Sequence, residues 1–393
     1  MNRKPRLLFV DNDVNSLLSY RIELARAARD AGFEVHMASP PGRAANVLRK
    51  EGFPFHAVSM TRRGVEPWKE SRTVFGLFRL YRKLRPDIVH HLRLKPVLYG
   101  SLAASFARVP AVVNMLTGLG YVFTGNGTRI ALLRTLVKAG CKVAFRHKNQ
   151  RVIFQNPDDR AVFLDCKILE ARQTVLVKGS GVDVSVFTEL AEPERPPVVM
   201  LASRMLKDKG VCNFVEAARS LRAQGIEASF VLVGDTDPGN PTAIPVEELQ
   251  AWARSGVVEW WGPQENIRAV LAKCHIVCLP SFREGVPKIL IEAAACGRPI
   301  VTTDVPGCRE IVRHGENGLL VPVRNSAALA GALRLLIGDG GLRERMGQHG
   351  RQIAVTEFSL NRVIRETLAV YDELLPARVQ ELVALTAPGH ANQ

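Results

Sequence analysis

Two series of short apolar runs, separated by longer segments with helical periodicity, constrain the fold of this 393-residue chain more than any other feature. The runs are rich in β-branched residues and nearly continuous, which is typical of parallel strands covered by helices on both faces. Two such series predict two doubly wound α/β domains. The first series is residues 6–10, 34–39, 87–92, 111–116 and 151–155. The second series is residues 197–203, 229–234, 257–262, 275–280, 299–303 and 318–323.

The predicted division between the domains lies in residues 178–197, "KGSGVDVSVFTELAEPERPP", where glycines and prolines gather. We therefore assign residues 1–186 to the first domain and residues 187–360 to the second. A last helical segment, residues 361–380, follows the completed second sheet, so we expect it to pack back on the first domain.

The net charge of +15 belongs entirely to the first half of the chain. Residues 1–186 contain 31 Lys and Arg against 14 Asp and Glu, whereas residues 187–393 contain 22 against 24. Between Asp87 and Asp158 there are ten cations and no acidic residue. A one-sign stretch of this length indicates an anionic partner. Nucleic acid is one candidate, but the basic region has few aromatic residues for base stacking and no recognition module, so we expect none.

The seven cysteines fit unpaired thiols in a reducing cytoplasm, because their number is odd and no pair has CxxC spacing. Cys274, His275 and Cys278 could be imagined as a metal site, but their run is typical of a buried strand in which cysteine is a small apolar residue. We therefore expect no metal ion. No apolar run reaches the roughly 18–20 residues that span a bilayer. The basic start of the chain predicts a first strand rather than a signal peptide.

Two glutamates eight positions apart flank a turn in residues 281–312, "SFREGVPKILIEAAACGRPIVTTDVPGCREIV". Ligands of open α/β sheets bind beyond the carboxyl ends of strands, where helix N-termini offer free N–H groups. Gly285 permits close backbone approach to a ligand, and Pro287 suits the start of a helix. We expect Glu284 and Glu292 to contact different parts of one ligand; a capping or dipole role is the alternative for Glu292.

A basic loop, "ASRMLKDKG", follows the first strand of the second series. It places Arg204 and Lys209 five residues apart and ends at Gly210. Arginine offers bidentate contacts and lysine a point charge to an anion. Because this loop and the glutamate turn lie on the same domain, together they predict a diphosphate site.

These motifs resemble those of the retaining glycosyltransferases of family GT4, which have the GT-B fold of two Rossmann-like domains facing each other across a cleft. The family pattern is an Arg-x4-Lys-Gly loop followed by Glu-x7-Glu, which here correspond to Arg204, Lys209-Gly210, Glu284 and Glu292. The resemblance covers nearly the whole chain. The segments "GSGVDVSVF", "WWGPQENI" and "DVPGCREIVRHGENGLLVP" are also similar to the family.

The resemblance implies that the second domain binds a nucleotide-diphosphate sugar, with no cofactor and no metal ion. Arg204 and Lys209 would contact the diphosphate, Glu292 the ribose hydroxyls, and Glu284 the donor sugar as a catalytic residue. Retention would proceed by front-face attack, with a donor phosphate oxygen accepting the acceptor's proton. The other donor-binding residues implied are Gly285, Val286, Pro287 and Lys288 at the phosphates and Trp261, Gly262 and Asn266 at the base.

The resemblance assigns the acceptor to the first domain, where residues 86–104 and 114–127 look like the members that extend sugars on polyprenyl-diphosphate carriers. His90 or His91 would face the sugar as a catalytic residue. Relatives place a histidine two residues beyond His90, where this chain has Leu92, so the choice between the two stays open. The acceptor-binding residues expected are Asn12, Arg93, Lys95, Thr117 and Gly118.

A basic helix starting near residue 129 explains part of the acid-free region. Basic amphipathic helices lie on anionic lipid, and a lipid-linked acceptor has to be met at the bilayer surface. The alternative is an ordinary surface helix of a globular domain. The membrane-contacting residues expected are Arg129, Arg134, Lys138, Lys142 and Arg146.

Taken together, these features lead us to expect a peripheral enzyme on the cytoplasmic face of the plasma membrane. It would transfer a hexose or N-acetylhexosamine from a nucleotide-diphosphate sugar, UDP-linked in our expectation, to a sugar on a polyprenyl diphosphate such as undecaprenyl diphosphate. The product would serve assembly of a surface polysaccharide or a glycoprotein glycan. A phosphatidylinositol-type glycolipid glycosyltransferase and a GT-B sugar-nucleotide epimerase are the alternatives, and the second leaves the basic first domain unexplained.

Overall fold

The computed structural model describes residues 3–61, 66–119, 128–194 and 196–375, and it divides the chain into two α/β units. The first unit runs to Val177 and includes the chain again from Val363 onward; the second is Lys178–Arg362. The first unit thus ends before residue 186, our predicted boundary. One reason is that the Val182 amide donates a hydrogen bond to the Phe358 carbonyl (2.9 Å), both within the second unit.

The described part of the first unit is built on a parallel sheet of seven strands in the order β3-β2-β1-β4-β5-β6-β7. The order reverses between β1 and β4. The strands are β1 Arg6–Val10, β2 Glu34–Ser39, β3 Phe55–Ala57, β4 Ile88–Leu92, β5 Ala111–Leu116, β6 Gln150–Phe154 and β7 Thr174–Leu176. The helices are α1 Val14–Asp30, α2 Ala44–Lys50, α3 Pro67–Leu84, α4 Leu94–Ala107, α5 Thr128–Ala144 and α6 Pro157–Asp165.

The described part of the second unit is built on a parallel sheet of six strands in the order β10-β9-β8-β11-β12-β13, which reverses between β8 and β11. The strands are β8 Val198–Ala202, β9 Ser229–Val233, β10 Glu259–Trp260, β11 Ile276–Leu279, β12 Ile300–Thr303 and β13 Gly318–Val321. The helices are α7 Val211–Ala223, α8 Val246–Arg254, α9 Ile267–Leu271, α10 Lys288–Ala295, α11 Cys308–Ile311, α12 Ser326–Gly338 and α13 Gly340–Glu357. The last helix, α14 Leu360–Leu374, starts in the second unit but belongs to the first unit from Val363 onward.

Side-chain alternation along the strands puts a separate core on each face of the first sheet. Leu7 and Phe9 of β1 belong to the core formed with α1, α2 and α14. Leu8 and Val10, their neighbours, belong to the core formed with α3 and α4. Helix α5 packs through Cys141 and Ala144 with β6 residues on that second face. The second sheet is likewise covered by two apolar clusters.

The predicted architecture of two doubly wound α/β domains is confirmed. Each of the eleven predicted strands is present, with bounds that differ from the prediction by at most a few residues. The two strands that the apolar pattern did not predict, β3 and β7, are three residues long and lie at the edges of the first sheet.

Candidate functional site

The loops that follow β8 and β11 meet where the strand order of the second sheet reverses. The ammonium Nζ of Lys209 lies 2.5 Å from Oε1 of Glu284, and Ser281 Oγ donates a hydrogen bond to the same oxygen (2.6 Å). This pair is only about one-fifth to one-tenth exposed. The structure therefore brings together a cation and a carboxylate that the sequence assigned to one ligand. Ser281 was not identified from the sequence.

Glycines allow the loops of this edge to approach one another closely. Gly210 has φ of +73°, and a Cβ there would lie 2.0 Å from the carbonyl oxygen of Pro280. Gly307, which follows β12, has φ of +82°, and its Cβ would lie 1.5 Å from the carbonyl oxygen of Gly285. A side chain at either position would displace the loop that carries Glu284. Gly307 was missed as a site residue, although "VPG" before a helix is a recognisable turn.

Arg204 has a different partner from Lys209. Its NH1 lies 2.6 Å from Oδ2 of Asp237, and its side chain is about half exposed. The guanidinium thus sits in a loop after β8 with access to solvent, whereas Lys209 is held against Glu284.

Glu292 is a buried carboxylate in the second turn of α10. It is 5% exposed, and the Nζ of Lys288 lies 3.4 Å from its Oε1. Burial raises the pKa of Glu292, while Lys288 opposes that shift. The alternative of a first-turn capping role does not apply, because α10 begins at Lys288 and has no acidic residue in its first turn. A buried carboxylate with one cation at this distance has capacity to accept further hydrogen bonds.

The turn from Gly285 to Lys288 leads directly into α10, with Pro287 at the N-cap position and no side chain capping the helix. The amide groups of a first turn that lacks such a cap can bind an anion. Val286 packs against Gly179, where a Cβ would lie 2.9 Å from its Cγ1. The linker glycine therefore leaves space for the turn.

The residues predicted at the nucleotide base follow β10. The indole Nε1 of Trp261 donates to Oε2 of Glu259 (2.9 Å), and the carbonyl of Gly262 accepts a hydrogen bond from the Gly234 amide (2.8 Å). The Asn266 side chain accepts a hydrogen bond from the Ala269 amide (3.1 Å) and caps α9. The side-chain oxygen of Asn266 is therefore engaged in the helix cap, and contact of this residue with a base stays a prediction.

At the first sheet, Asn12, Arg93, Thr117 and Gly118 follow the neighbouring strands β1, β4 and β5. Arg93 has φ of +73°, an uncommon conformation for a side-chain-bearing residue. Its Nε lies 3.6 Å from Oδ1 of Asp11. The predicted loop 114–127 is described only to residue 119, and its remainder lies outside the described residues.

A buried polar cluster that the sequence did not reveal lies beside these residues. Among the described residues, Oδ2 of Asp11, Oδ1 of Asn12 and Nε2 of His90 are buried without a hydrogen-bond partner. Burial raises the pKa of Asp11, and Arg93 opposes the shift. Arg21 is also buried, and its NH2 lies 2.8 Å from Sδ of Met115. Such unpartnered atoms are rare in folded proteins, and they often mark places where a ligand or water binds.

His90 and His91, one of which is predicted to face a sugar, are both fully buried. Adjacent strand residues point to opposite faces of the sheet. Nε2 of His91 is hydrogen-bonded to the hydroxyl of Tyr81 (2.9 Å) and its Nδ1 to Oδ1 of Asn114 (2.9 Å). Nδ1 of His90 is hydrogen-bonded to the hydroxyl of Tyr371 (2.7 Å). Both ring nitrogens of His91 are thus engaged, whereas Nε2 of His90 has no hydrogen-bond partner among the described residues, and a catalytic role for either histidine stays a prediction.

Lys95 is likewise engaged within the first unit. Its Nζ lies 2.7 Å from both Oε1 of Glu70 and Oγ1 of Thr61, and the pair with Glu70 is mostly buried. Lys95 therefore joins α4 to α3, and its role as an acceptor-binding residue stays a prediction.

Helix α5 exposes an apolar ridge as well as cations. Leu132, Leu136 and Val143 are 64%, 62% and 47% exposed. Lys142 and Arg146 are exposed, whereas Arg134 and Lys138 are half-buried on one flank of the ridge. The side chain of Arg129 lies outside the described residues. In the described part of the chain, no helix has the length and apolar character that crossing a bilayer requires.

The cysteines and histidine considered as metal ligands are buried in the second unit. Nδ1 of His275 accepts a hydrogen bond from the Val198 amide (3.0 Å), while Cys274 and Cys278 are buried free thiols. Within the described ranges, no three His, Cys, Asp or Glu side chains are grouped so that they could hold a metal ion.

Two family profiles match the chain. The profile described as Glycosyl transferase 4-like matches residues 6–156, and the profile described as Glycosyl transferases group 1 matches residues 196–339. The two parallel-sheet units have the GT-B fold, and the two profiles identify a glycosyltransferase. The chain belongs to the group 1 and 4-like glycosyltransferases that these profiles describe.

Similar proteins include enzymes of glycan assembly. The N,N'-diacetylbacillosaminyl-diphospho-undecaprenol alpha-1,3-N-acetylgalactosaminyltransferase of Campylobacter jejuni is 28% identical over 94% of this chain and 99% of its own length. The capsular polysaccharide biosynthesis glycosyltransferase CapM of Staphylococcus aureus is 23% identical over 88% of this chain and 92% of its own.

Solved structures with the same fold cover nearly the whole chain. Sucrose-phosphate synthase of Thermosynechococcus elongatus has a TM-score of 0.78 at 18% identity, covering 94% of this chain and 99% of that structure. Anabaena Alr3699/HepE, solved with UDP-glucose, has a TM-score of 0.74 at 21% identity, covering 93% and 99% respectively.

Proposed function

We propose that this glycosyltransferase moves a hexose or N-acetylhexosamine from a UDP-linked sugar to a sugar carried on a polyprenyl diphosphate. The observation that carries the donor half is the ion pair of Lys209 and Glu284 where the second sheet reverses, beside the start of α10. A cation, a carboxylate and helix amides at this edge are groups suited to a diphosphate and a sugar. The Campylobacter jejuni relative supports the acceptor half, and the UDP-glucose complex of Alr3699/HepE supports the nucleotide.

In the proposed donor complex, Arg204 and Lys209 bind the diphosphate together with the amides at the start of α10. Glu292 accepts hydrogen bonds from the ribose hydroxyls, which would offset the cost of burying its carboxylate. Trp261 and the backbone of Gly262 lie along the base.

Transfer proceeds with retention in this proposal, without a metal ion or cofactor. The bond between the anomeric carbon and the donor phosphate oxygen breaks, and the acceptor hydroxyl oxygen bonds to the same face of that carbon. The hydroxyl proton passes to the departing phosphate oxygen. Lys209 stabilises the negative charge that develops on the diphosphate, and Glu284 keeps Lys209 in position beside the donor sugar.

The acceptor is proposed to bind at the first unit. The unpartnered oxygens of Asp11 and Asn12 would accept hydrogen bonds from sugar hydroxyls, and Arg93 would bind the diphosphate of the carrier. Thr117 and Gly118 begin the loop beside them. The enzyme would work as a peripheral protein on the cytoplasmic face of the membrane, in assembly of a surface polysaccharide or a related glycan.

The test is a donor screen with the purified full-length protein and a synthetic undecaprenyl-diphosphate N-acetylhexosamine, with the product identified by mass spectrometry. We expect one UDP-sugar to add one sugar residue, with the donor's anomeric configuration by NMR and undiminished rate in EDTA. Lys209→Ala serves as the inactive control. Epimerised nucleotide sugar formed without acceptor, or transfer confined to a phosphatidylinositol acceptor, would overturn the proposal.

A further inference from the structure

Helices α3 and α4 expose large aromatic side chains that neither core of the first unit uses. Trp68 and Phe75 on α3 are 75% and 59% exposed, and Phe106 on α4 is 67% exposed. Exposing such rings to water costs free energy, so a group of them on adjacent helices indicates a surface that is covered in use.

Two of these aromatic side chains, Phe75 and Phe106, line an apolar groove between the two helices. The groove has a volume of about 550 Å³. Five of its six lining residues are apolar, and Ser71 is the exception. An elongated hydrocarbon matches this lining better than a ligand that needs hydrogen bonds. The lining residues are Ser71, Val74, Phe75, Phe78, Leu102 and Phe106.

The three helices on this face of the first sheet are strongly cationic. The segments of α3, α4 and α5 contain ten Lys and Arg and a single acidic residue, Glu70. Glu70 is buried and pairs with one of these cations, Lys95, which leaves nine cations and no other acidic residue in the three helices. The guanidinium of Arg79 lies 5.8 Å from the centre of the Phe75 ring. Cations and aromatic rings therefore share the exposed side of α3.

A second cavity lies against the other flank of α3. It has a volume of about 650 Å³, and the cations Arg72 and Lys83 are among its lining residues. Glu34 also lines it, but Arg6 holds that carboxylate in an ion pair (2.9 Å). An anionic head group would find cations here, within one helix width of the apolar groove.

We propose that the groove between α3 and α4 takes a hydrocarbon chain from an anionic bilayer. Trp68, Phe75 and Phe106 would enter the interface, and the cations of α3 would contact lipid phosphates. The surface fits lipid better than a second copy of this chain, because two copies would bring like charges together. This proposal adds α3 and α4 to the membrane-contacting surface that we predict for α5. It rests on the proposed function in one respect: a lipid-linked acceptor is what requires the enzyme to bind the bilayer.

The first test compares the full-length protein with the variant Phe75→Ser/Phe106→Ser in sedimentation with vesicles of phosphatidylglycerol and phosphatidylcholine. We expect vesicle affinity to fall by about ten-fold or more from the lost apolar contact. Leu335→Ser is the matched control, since Leu335 is 50% exposed on α12 of the second unit. Transfer to a water-soluble short-chain acceptor should be unchanged in the double variant, which separates this test from the proposed function itself.

The second test uses Trp68 as a probe of depth. Vesicles with brominated acyl chains should quench part of the tryptophan emission of the wild type. In Trp68→Phe this quenching should disappear, because the emission that remains comes from Trp252, Trp260 and Trp261 in the second unit. Equal quenching in Trp68→Phe, or undiminished vesicle binding by the double variant, would overturn the proposal. So would a lipid-free dimer that the double variant dissociates, because the groove would then serve a protein contact.

Discussion

Glu284 shares one carboxylate oxygen between Lys209 and Ser281, so it fixes the cation that we place at the diphosphate. We predict that Glu284→Gln lowers kcat by about 100-fold or more while nucleotide affinity changes little, because the amide keeps the size but loses the charge. Initial rates and UDP calorimetry would check this. Ser281→Ala, which keeps the carboxylate, should have a much smaller effect. Wild-type turnover in Glu284→Gln would remove this residue from the mechanism.

Gly307 and Gly315 share a φ of +82°, but only Gly307 faces a close backbone neighbour. A Cβ at Gly307 would lie 1.5 Å from the Gly285 carbonyl oxygen, whereas nothing lies within 4 Å of one at Gly315. We predict that Gly315→Ala costs the left-handed strain alone, about 1–2 kcal/mol. Gly307→Ala should cost more and also weaken nucleotide binding, since the turn at Gly285 must move. Denaturant titration would measure the loss of stability, and calorimetry would measure the change in nucleotide affinity. Equal effects of Gly307→Ala and Gly315→Ala would contradict the packing argument.

Buried histidines make the first unit sensitive to acid. Burial lowers the pKa of His91 to about 4, and it lowers the pKa of His90 well below its usual range. The folded protein keeps both imidazoles neutral, whereas the unfolded chain binds protons near pH 6.5, so stability is full above about pH 6.5. Below that, it should fall by about 1.4 kcal/mol per pH unit for each histidine, down to the folded pKa.

Denaturant titrations between neutral pH and about pH 5 would measure this slope. Tyr81 and Asn114 face His91, so the glutamine variant His91→Gln keeps a polar group there but cannot titrate. Its slope should be smaller than that of the wild type. A stability that does not change with pH in this range would contradict the burial of both rings.

For the proposed donor site, the sequence could indicate which loops come together but not how individual side chains are oriented. Lys209, Glu284 and Glu292 were selected by their spacing after apolar strands, and the structure places Lys209 beside Glu284. It did not show that His90 and His91 point to opposite cores, although Gly100 is a signal: a Cβ there would lie 2.3 Å from Nε2 of His91. The absence of a side chain at Gly100 leaves the space that the His91 ring occupies.

At the scale of elements, apolar runs predicted the central strands well because a parallel strand buried on both faces must be apolar throughout. Strand β3 escaped the pattern because it is short and partly exposed. Strand β7, also short, has a similar mixed burial. Edge strands do not need the continuous apolar character that identifies a central strand.

Helix α5 was predicted as a cationic stripe, and the structure adds an exposed apolar ridge that includes Leu132 and Leu136. We predict that Lys138→Glu/Lys142→Glu weakens binding to phosphatidylglycerol vesicles by about 30-fold or more, from about 1 kcal/mol per lost cation. Sedimentation would measure it. Lys138→Gln/Lys142→Gln removes the charge without reversing it, so its vesicle affinity should lie between those of the wild type and the charge-reversed variant. Undiminished sedimentation with the reversed helix would refute its membrane role.

At the scale of the molecule, the chain returns to its first unit at the end. From Val363, α14 packs into the first core, and Tyr371 bonds to His90 across 281 residues of sequence. The sequence located the last helix, but not the partner of Tyr371, because a single hydroxyl contact between distant segments leaves no periodic pattern. Residues 178–186, which we predicted in the first domain, belong to the second unit. The sequence did not indicate this, because their loop is anchored by backbone hydrogen bonds, which any sequence can make.

The uneven distribution of charge along the chain determines how strongly salt affects the binding of the molecule to anionic surfaces. The first 186 residues carry a formal +17 from 31 cations and 14 acids, and the remainder carries −2 from 22 and 24. Raising ionic strength from about 0.1 M to about 1 M shortens the Debye length from about 10 Å to about 3 Å. We predict that vesicle binding weakens strongly over this range, while transfer to a water-soluble acceptor changes little.

Salt dependence alone would also be expected of a nucleic-acid-binding protein, so duplex DNA is the necessary competitor. Exposed apolar side chains on α3, α4 and α5 gain from contact with acyl chains but not from contact with a phosphate backbone. Anionic vesicles should therefore retain the protein in the presence of DNA at an equal concentration of phosphate. If DNA instead displaced the protein from vesicles at that concentration, binding would depend on the cations of the first unit alone. The exposed apolar side chains would then make no contribution to membrane binding.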